Sequence, residues 1–393
     1  MQHYPYLIIG GGMTADAAVR GIRELDAKGA IGLIGAEKDP PYARPPLSKA
    51  LWKGESLETV WRNTSEAGVD LHLGHRVTTI DAERKTVVDD SGAGYTFDKL
   101  LLANGGTPRH LPFGGVDVIY YRTLNDYRRL RALAASGKTF AVIGGGFIGS
   151  EIAAALVMNG CKVTMLFPED GIGARLFPAD LARFLVDYYR EKGVDVKPGD
   201  SVTGLTSRSS GVSIDTKKGV HFTADAVVAG IGIMPNVDLA EAAGLRVDDG
   251  VVVDDHLQTS SRDVYAAGDV ANFMAPALGK RERVEHEDNA VTMGKAAGRS
   301  MAGDTSPYSH LPFFYSDLFE LGYEAVGDMD PRGEVFADWK EPFREGVIYY
   351  LSGGRVRGVL LWNTWGQVDA ARSLIAEPGP FRAADLKGRL PAQ

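Results

Sequence analysis

Twice in this chain an apolar strand runs straight into a glycine triplet that opens a helix, and no other feature constrains the fold as tightly. Tyr6 to Ile9 lead into Gly10, Gly11 and Gly12, and the apolar spacing at Ala15, Ala18, Val19, Ile22 and Leu25 is helical. A second apolar run, Ile31 to Ile34, ends close to Glu37, which completes the strand-helix-strand-acid order of a dinucleotide fingerprint. Gly10 allows the tight turn, and Gly12 lets backbone amides approach a pyrophosphate at the positive end of the helix. Ala15 stands where a third glycine often packs the helix on the strand. Glu37 is placed to accept hydrogen bonds from an adenosine ribose.

The pattern recurs from Phe140 to Ile143, followed by Gly144, Gly145, Gly146, Phe147, Ile148 and Gly149, a helix carrying Ile152, Ala155 and Leu156, and a strand from Val163 to Leu166. Here all three fingerprint glycines are present, Gly144, Gly146 and Gly149. Two fingerprints in one chain imply two dinucleotides, or two halves of one transfer path. The acid expected directly after the second strand is missing, because Phe167 occupies that place and Glu169 follows two residues later. Glu169 would bind a ribose diol and repel a 2'-phosphate, favouring NAD; Arg175 nearby would pair with that phosphate, which leaves NADP open.

Two later segments resemble strands that return to the first sheet and end in ligand-facing turns. Lys99 to Ala103 precede Asn104, Gly105 and Gly106; Val264 to Ala267 precede Gly268 and Asp269. Asp269 then lies where a flavin's sugar-alcohol chain would run, although taken alone it reads as a helix N-cap. From Pro307 onward aromatic residues become dense, with strands from Val347 to Leu351 and from Val356 to Leu361 and a helix near Asp369 to Ile375. The expected fold class is α/β, with two Rossmann-like dinucleotide-binding domains, for FAD and for NAD, and a small α+β C-terminal domain. The FAD-binding domain is discontinuous, 1–113 and 236–306; the NAD(P)-binding domain is 114–235; residues 307–393 form the C-terminal domain that covers the flavin.

A net charge of −8 argues against general nucleic-acid binding, which needs a strong positive field. Cys161 is the only cysteine, so the chain has no intrachain disulfide, no CxxC redox pair and no cysteine zinc cluster. Dithiol relays are thereby excluded, and no metal is expected. The N-terminus lacks a basic region followed by a long apolar stretch, and no transmembrane-length apolar run occurs, so a soluble, cytoplasmic protein without a membrane partner is the expectation.

The strings PYARPPLSKALW, LLLANGGTPR, VIGGGFIGSEIA, LFPEDGIGARLFP, AGIGIMPNVDLAEAAGL, VYAAGDVANF, RVEHEDNAVTMGKAAG and FFYSDLFELGYEAVG run through nearly the whole chain. Together they resemble the ferredoxin-reductase-like flavoproteins, most closely the apoptosis-inducing-factor branch. The resemblance implies that NAD(P)H passes a hydride to FAD and that the reduced flavin passes electrons onward. It also implies that Arg44 and Lys49 lie beside the isoalloxazine, that Glu151 pairs with that lysine, and that Phe147 borders the nicotinamide pocket. Glu285 and His286 would stand near nicotinamide and flavin, and Ile148 and Gly232 join the nucleotide-binding positions. Tyr315 replaces a tryptophan common in the FWSD string and keeps a flat stacking surface. A lysine can stabilise the anionic pyrimidine edge of a reduced flavin, and burying it without a carboxylate partner would cost several kcal/mol.

The expected function is an FAD-dependent NAD(P)H oxidoreductase, with NADH favoured and an iron-sulfur protein, a quinone or oxygen as acceptor. The alternative is an NADH-responsive redox-sensing interaction protein with slow flavin reoxidation. A small iron-sulfur protein is the expected partner, and a homodimer is left open.

Overall fold

The computed structural model describes residues 1–113, 117–209 and 211–390. It divides into two compact units, one built from Met1–Arg44, Ser56–Thr107 and Met234–Phe313, the other from Pro45–Glu55, Pro108–Ile233 and Phe314–Gln393. The expected domain boundary after residue 113 abuts residues 114–116, which lie outside the described residues, as do residues 391–393 at the end of the expected third domain.

The first unit holds a parallel sheet in the order Val69–Leu73, Ile31–Gly35, Gln2–Ile9, Gly94–Leu102, with Val264–Ala266 paired to the last strand. Leu7, Ile8, Leu33, Leu100 and Leu101 are wholly buried. These strands are covered on both faces, which is why their sequences are continuous apolar runs rather than alternating ones. The antiparallel strands Val77–Asp81 and Thr86–Asp89 extend the sheet from the N-terminal half of Gly94–Leu102. Helix Met13–Leu25 lies on helix Glu287–Met301 through glycines, with almost no space between the backbones. A Cβ added at Gly294 would fall 2.4 Å from the Thr14 carbonyl, one at Gly298 2.0 Å from that of Ala18, and one at Gly21 2.1 Å from that of Lys295.

The second unit repeats the strand order. Its parallel sheet runs Val194–Pro198, Lys162–Phe167, Thr139–Ile143, Ala226–Ala229, Val118–Tyr120. A three-stranded antiparallel sheet, Val202–Arg208, Gly211–Thr216 and His221–Ala224, packs into the same core. The C-terminal region forms a five-stranded antiparallel sheet, Phe313–Leu318, Leu321–Gly327, Arg355–Trp362, Glu345–Ser352, Glu334–Glu341, joined by helix Val368–Ala376. This sheet is tied to the second nucleotide fold: the Tyr350 hydroxyl donates to the Leu176 carbonyl at 2.6 Å, and the Phe177 ring meets Tyr323 and Trp362 edge-on at 5.2 and 5.6 Å. Its aromatic residues are largely core, as with Tyr323, Tyr349, Tyr350 and Trp362, whereas Trp365 stays 47% exposed. The architecture is α/β with two Rossmann-type sheets and a small C-terminal α+β region. Among the described residues no helix is long and apolar enough to cross a membrane.

Candidate active site

Each parallel sheet ends in a glycine cradle. Gly10 has φ +127° and Gly144 φ +117°, and a Cβ at these positions would lie 2.1 Å from the Ala103 carbonyl oxygen and 2.3 Å from that of Gly230. Only glycine fits either place. Gly12 and Gly146 are the N-caps of helices Met13–Leu25 and Phe147–Met158; neither helix has a side-chain cap, and a Cβ at either glycine would meet nothing within 4 Å. Both helix N-termini are thus left without a side-chain cap and with open space beside the capping glycine, as an approaching pyrophosphate requires. Ala15 is fully buried in the first helix. Gly149 in the second has no such room, since its Cβ would be 2.0 Å from the Gly144 carbonyl, and the neighbouring Ile148 lies against Gly230.

The acids after the second strands also match. Glu37 accepts from the Arg44 guanidinium and from the Tyr42 hydroxyl, both at 2.6 Å. Glu169 accepts from Arg175 Nε at 2.9 Å and pairs with its Nη2 at 2.7 Å. The residues read as rival signals for NAD and NADP are thus partners of one another. The backbone repeats too, the Glu37 carbonyl accepting from Gly74 at 2.9 Å and that of Glu169 from Gly199 at 2.8 Å. Burial works against the Arg44 cation, but Tyr42, Glu37 and Asp269 outweigh it and hold its pKa above the ordinary value. Arg44 consequently sits with the ribose-type acid of the first unit, while Lys49, its neighbour in the RPPLSK string, belongs to the second.

Elsewhere in the first unit, Asn104 Nδ2 donates to the Asn236 carbonyl at 2.9 Å and Asn236 Nδ2 returns to the Asn104 carbonyl at 2.7 Å. The Asn104 Oδ1 is buried without a partner among the described residues, an acceptor left for a ligand donor. Gly105, at φ +61°, accepts from the Asn236 amide at 2.9 Å. Asp269 is buried within a single 3-10 turn, Gly268–Val270, whose N-cap is Ala267. Arg283 joins it to Glu285, donating to the Asp269 carbonyl at 3.2 Å and to the Glu285 carboxylate at 2.5 Å. His286 is the N-cap of helix Glu287–Met301. Burial pulls the His286 pKa down to about 4, against the opposing pull of Asp269 and Asp288. In the second unit Gly232 is exposed at φ +96°, and a Cβ there would come within 3.6 Å of Arg109.

The second unit's other predicted residues converge on Glu151, which lies in the first turns of helix Phe147–Met158 and is 4% exposed. Lys49 Nζ donates to Glu151 Oε1 at 2.7 Å and stands 5.2 Å from the centre of the Tyr315 ring. Phe147 meets Phe314 edge to face at 5.2 Å. Two residues that the sequence reading passed over complete the group: Ser48 Oγ donates to Glu151 Oε2 at 2.5 Å, and Ser316 Oγ to Oε1 at 2.6 Å. Each stands directly beside a residue already singled out, Lys49 and Tyr315, and that adjacency was the only available signal. Tyr189 and Tyr323 are held well above the usual phenol range, first by burial and then by the Glu151 charge.

Two uncapped glycine helix ends, each followed by a paired acid, together with an unsatisfied buried amide oxygen, fit FAD and a nicotinamide dinucleotide, and define a two-nucleotide oxidoreductase. The chain belongs to the pyridine nucleotide-disulphide oxidoreductase family, whose model matches residues 4–294. It is 34% identical to apoptosis-inducing factor 1, mitochondrial, of Dictyostelium discoideum, over 95% of this chain and 79% of that protein. It is also 34% identical to the ferredoxin-NAD(+) reductase component of the anthranilate 1,2-dioxygenase system of Burkholderia cepacia, over 98% of both. Among solved structures, the reductase of the covalent putidaredoxin reductase-putidaredoxin complex superposes with a TM-score of 0.90 at 30% identity, covering 98% of this chain and 95% of that one. The protein is accordingly an oxidoreductase enzyme that uses FAD and NAD(P)H. The disulphide in the family's name has no counterpart here, since the one thiol, Cys161, is buried, and burial raises its pKa.

Proposed function

We propose that this enzyme is an NADH-dependent reductase whose acceptor is a small iron-sulfur protein. The observation that carries the reading is the buried Lys49–Glu151 pair, formed where the second glycine helix begins. When bound, NADH supplies a hydride and FAD accepts it, releasing electrons one at a time to the acceptor. Lys49 presents its cation to the edge of the flavin where negative charge gathers on reduction. Glu151 holds Lys49 in place and neutralises it at rest, so that the ammonium is not buried unpaired. Phe147 and Tyr315 exclude water and offer flat surfaces to the rings. Glu37 with Arg44 orients the ribose in the first unit, and Glu169 with Arg175 orients it in the second, where a carboxylate favours NADH over NADPH. Asn104, Asp269, Glu285 and His286 complete the flavin side in the first unit.

The iron-sulfur acceptor is supported by the likeness, over nearly the full length of both chains, to a ferredoxin reductase component and to putidaredoxin reductase. The absence of a second cysteine removes the thiol route. The likeness to apoptosis-inducing factor favours a second reading, a redox-responsive protein whose reduced state is long-lived. Anaerobic reduction by NADH and by NADPH, followed by a panel of acceptors, separates them. Rapid reoxidation by a [2Fe–2S] protein is expected; slow reoxidation by every acceptor, with an NADH-dependent change in size-exclusion mass, would establish the second reading instead. Lys49→Ala is expected to retain FAD and to slow reduction by NADH at least tenfold, and unchanged stopped-flow bleaching would remove Lys49 from the mechanism.

A further inference from the structure

The Glu151 carboxylate receives more than its lysine needs to give. Lys49 and Ser316 share Oε1 at 2.7 and 2.6 Å, and Ser48 alone takes Oε2 at 2.5 Å. Ser316 is 0% exposed and Ser48 7%, so neither hydroxyl has water as an alternative partner. The carboxylate and its three donors come from three separate stretches of the second unit: Ser48 and Lys49 from Pro45–Glu55, Glu151 itself from helix Phe147–Met158, and Ser316 from strand Phe313–Leu318. Ser316 Oγ donates to Glu151 Oε1 and Ser48 Oγ to Oε2, so both carboxylate oxygens accept from a neutral hydroxyl.

A carboxylate buried with one ammonium would draw that ammonium fully onto itself, because each remaining lone pair is otherwise unsatisfied. Neutral donors on both oxygens relieve that demand without adding charge. An ammonium has three N–H groups, and Glu151 is the one hydrogen-bond acceptor of the Lys49 ammonium among the described residues. We infer that Ser48 and Ser316 are positioning residues that satisfy Glu151 and so leave the charge of Lys49 available to the flavin. The inference rests on the proposed role of Lys49 and adds to it a control on how strongly that cation acts.

The reduction potential of bound FAD, measured by anaerobic dye-coupled titration of the holoenzyme, reads that control directly. Ser316→Ala and Ser48→Ala should each shift the flavin's reduction equilibrium about tenfold against the reduced form, a potential lower by about 30 mV for a two-electron couple. Ser48→Thr, which keeps the hydroxyl, should return the potential to within twofold of the starting equilibrium. In a Lys49→Gln background, the same alanine substitutions should change the equilibrium less than twofold, because their effect passes through the lysine. A purely structural role predicts equal shifts in both backgrounds, and that result, or unchanged potentials in both alanine variants, would overturn the inference alone. If Lys49→Gln by itself leaves the potential where it was, the proposed role of Lys49 falls, and the serines' role falls with it.

Discussion

At the first glycine turn the third small position is Ala15, and at the second it is Gly149; the surroundings of each explain the choice. Gly149 lies so close to the turn that a Cβ would stand 2.0 Å from the Gly144 carbonyl, and a Cβ at Gly230 would stand 2.9 Å from the Gly149 amide. The second helix is therefore pressed against its own turn and the adjoining strand. Ala15 is fully buried, and in the first unit the closest backbone approaches of the helix lie at Gly21, Gly294 and Gly298 instead. The two turns share strand order, uncapped helix ends and a paired acid. What differs is which backbone the helix must touch. The third glycine of a fingerprint thus reports a packing contact, whereas the first two report the turn and the ligand.

The largest expected effects come from the shared positions. Gly10→Ala and Gly144→Ala each force a side chain into positive φ, at a cost of about 1 kcal/mol before any clash is counted, and drive it into a carbonyl. Gly10→Ala should purify with less than about a tenth of the normal flavin absorbance. Gly144→Ala should stay yellow and lose reduction by NADH about a hundredfold or more in stopped flow, as one misplaced contact at a reacting centre does. Loss of flavin from both variants alike would end the assignment of one nucleotide to each turn.

The position where the turns differ should give the next largest effect. Gly149→Ala should raise the KM for NADH about tenfold, a loss near 1.4 kcal/mol, while Ala15→Gly should cost only about 0.5–1 kcal/mol of stability in thermal melts. Equal responses would mean that the packing difference is without consequence. For the acids, Glu169→Gln should reduce the preference for NADH over NADPH several-fold in kcat/KM, and Glu37→Gln should leave that preference unchanged. Arg175 is 83% exposed, so its pairing with Glu169 adds little to stability, about 0–1 kcal/mol.

The smallest effect is one of pH and concerns the first unit. The folded pKa of His286, about 4, lies below its ordinary value of 6.5. Its neutral form therefore stabilises the fold above pH 6.5, and that stabilisation is lost as the pH falls from 6.5 through 4. Melting temperatures at pH 7 and pH 5 should fall less in His286→Gln than in the parent. An identical decline in both proteins would assign the acid sensitivity to other groups.

Much of this was legible in the sequence because glycine constraints are local. Gly10, Gly12, Gly144 and Gly146 announce turns through their own backbones, and the buried strands announce themselves as unbroken apolar runs. Lys49 and Glu151 are far apart in the chain, and only the family strings, supported by the cost of burying an unpaired lysine, brought them together. Ser48 and Ser316 were passed over because serine carries no pattern of its own. The RPPLSK string implies a place beside the isoalloxazine for Arg44, and the structure adds that its guanidinium donates to the acid seven residues before it, Glu37. Glu169 and Arg175 were weighed as competitors, although opposite charges that close in sequence commonly neutralise one another. The displaced contact at Gly294 and Gly298 belongs to tertiary packing, and nothing local to residues 13–25 encodes its partner.

That helix-on-helix seam has a consequence for how the protein is made. Residues 13–25 leave the ribosome well before the surface they must fit, Glu287–Met301, which emerges only after all five strands of the second unit's parallel sheet have been synthesised. The first fold therefore stays unfinished while the second unit's parallel sheet is free to form.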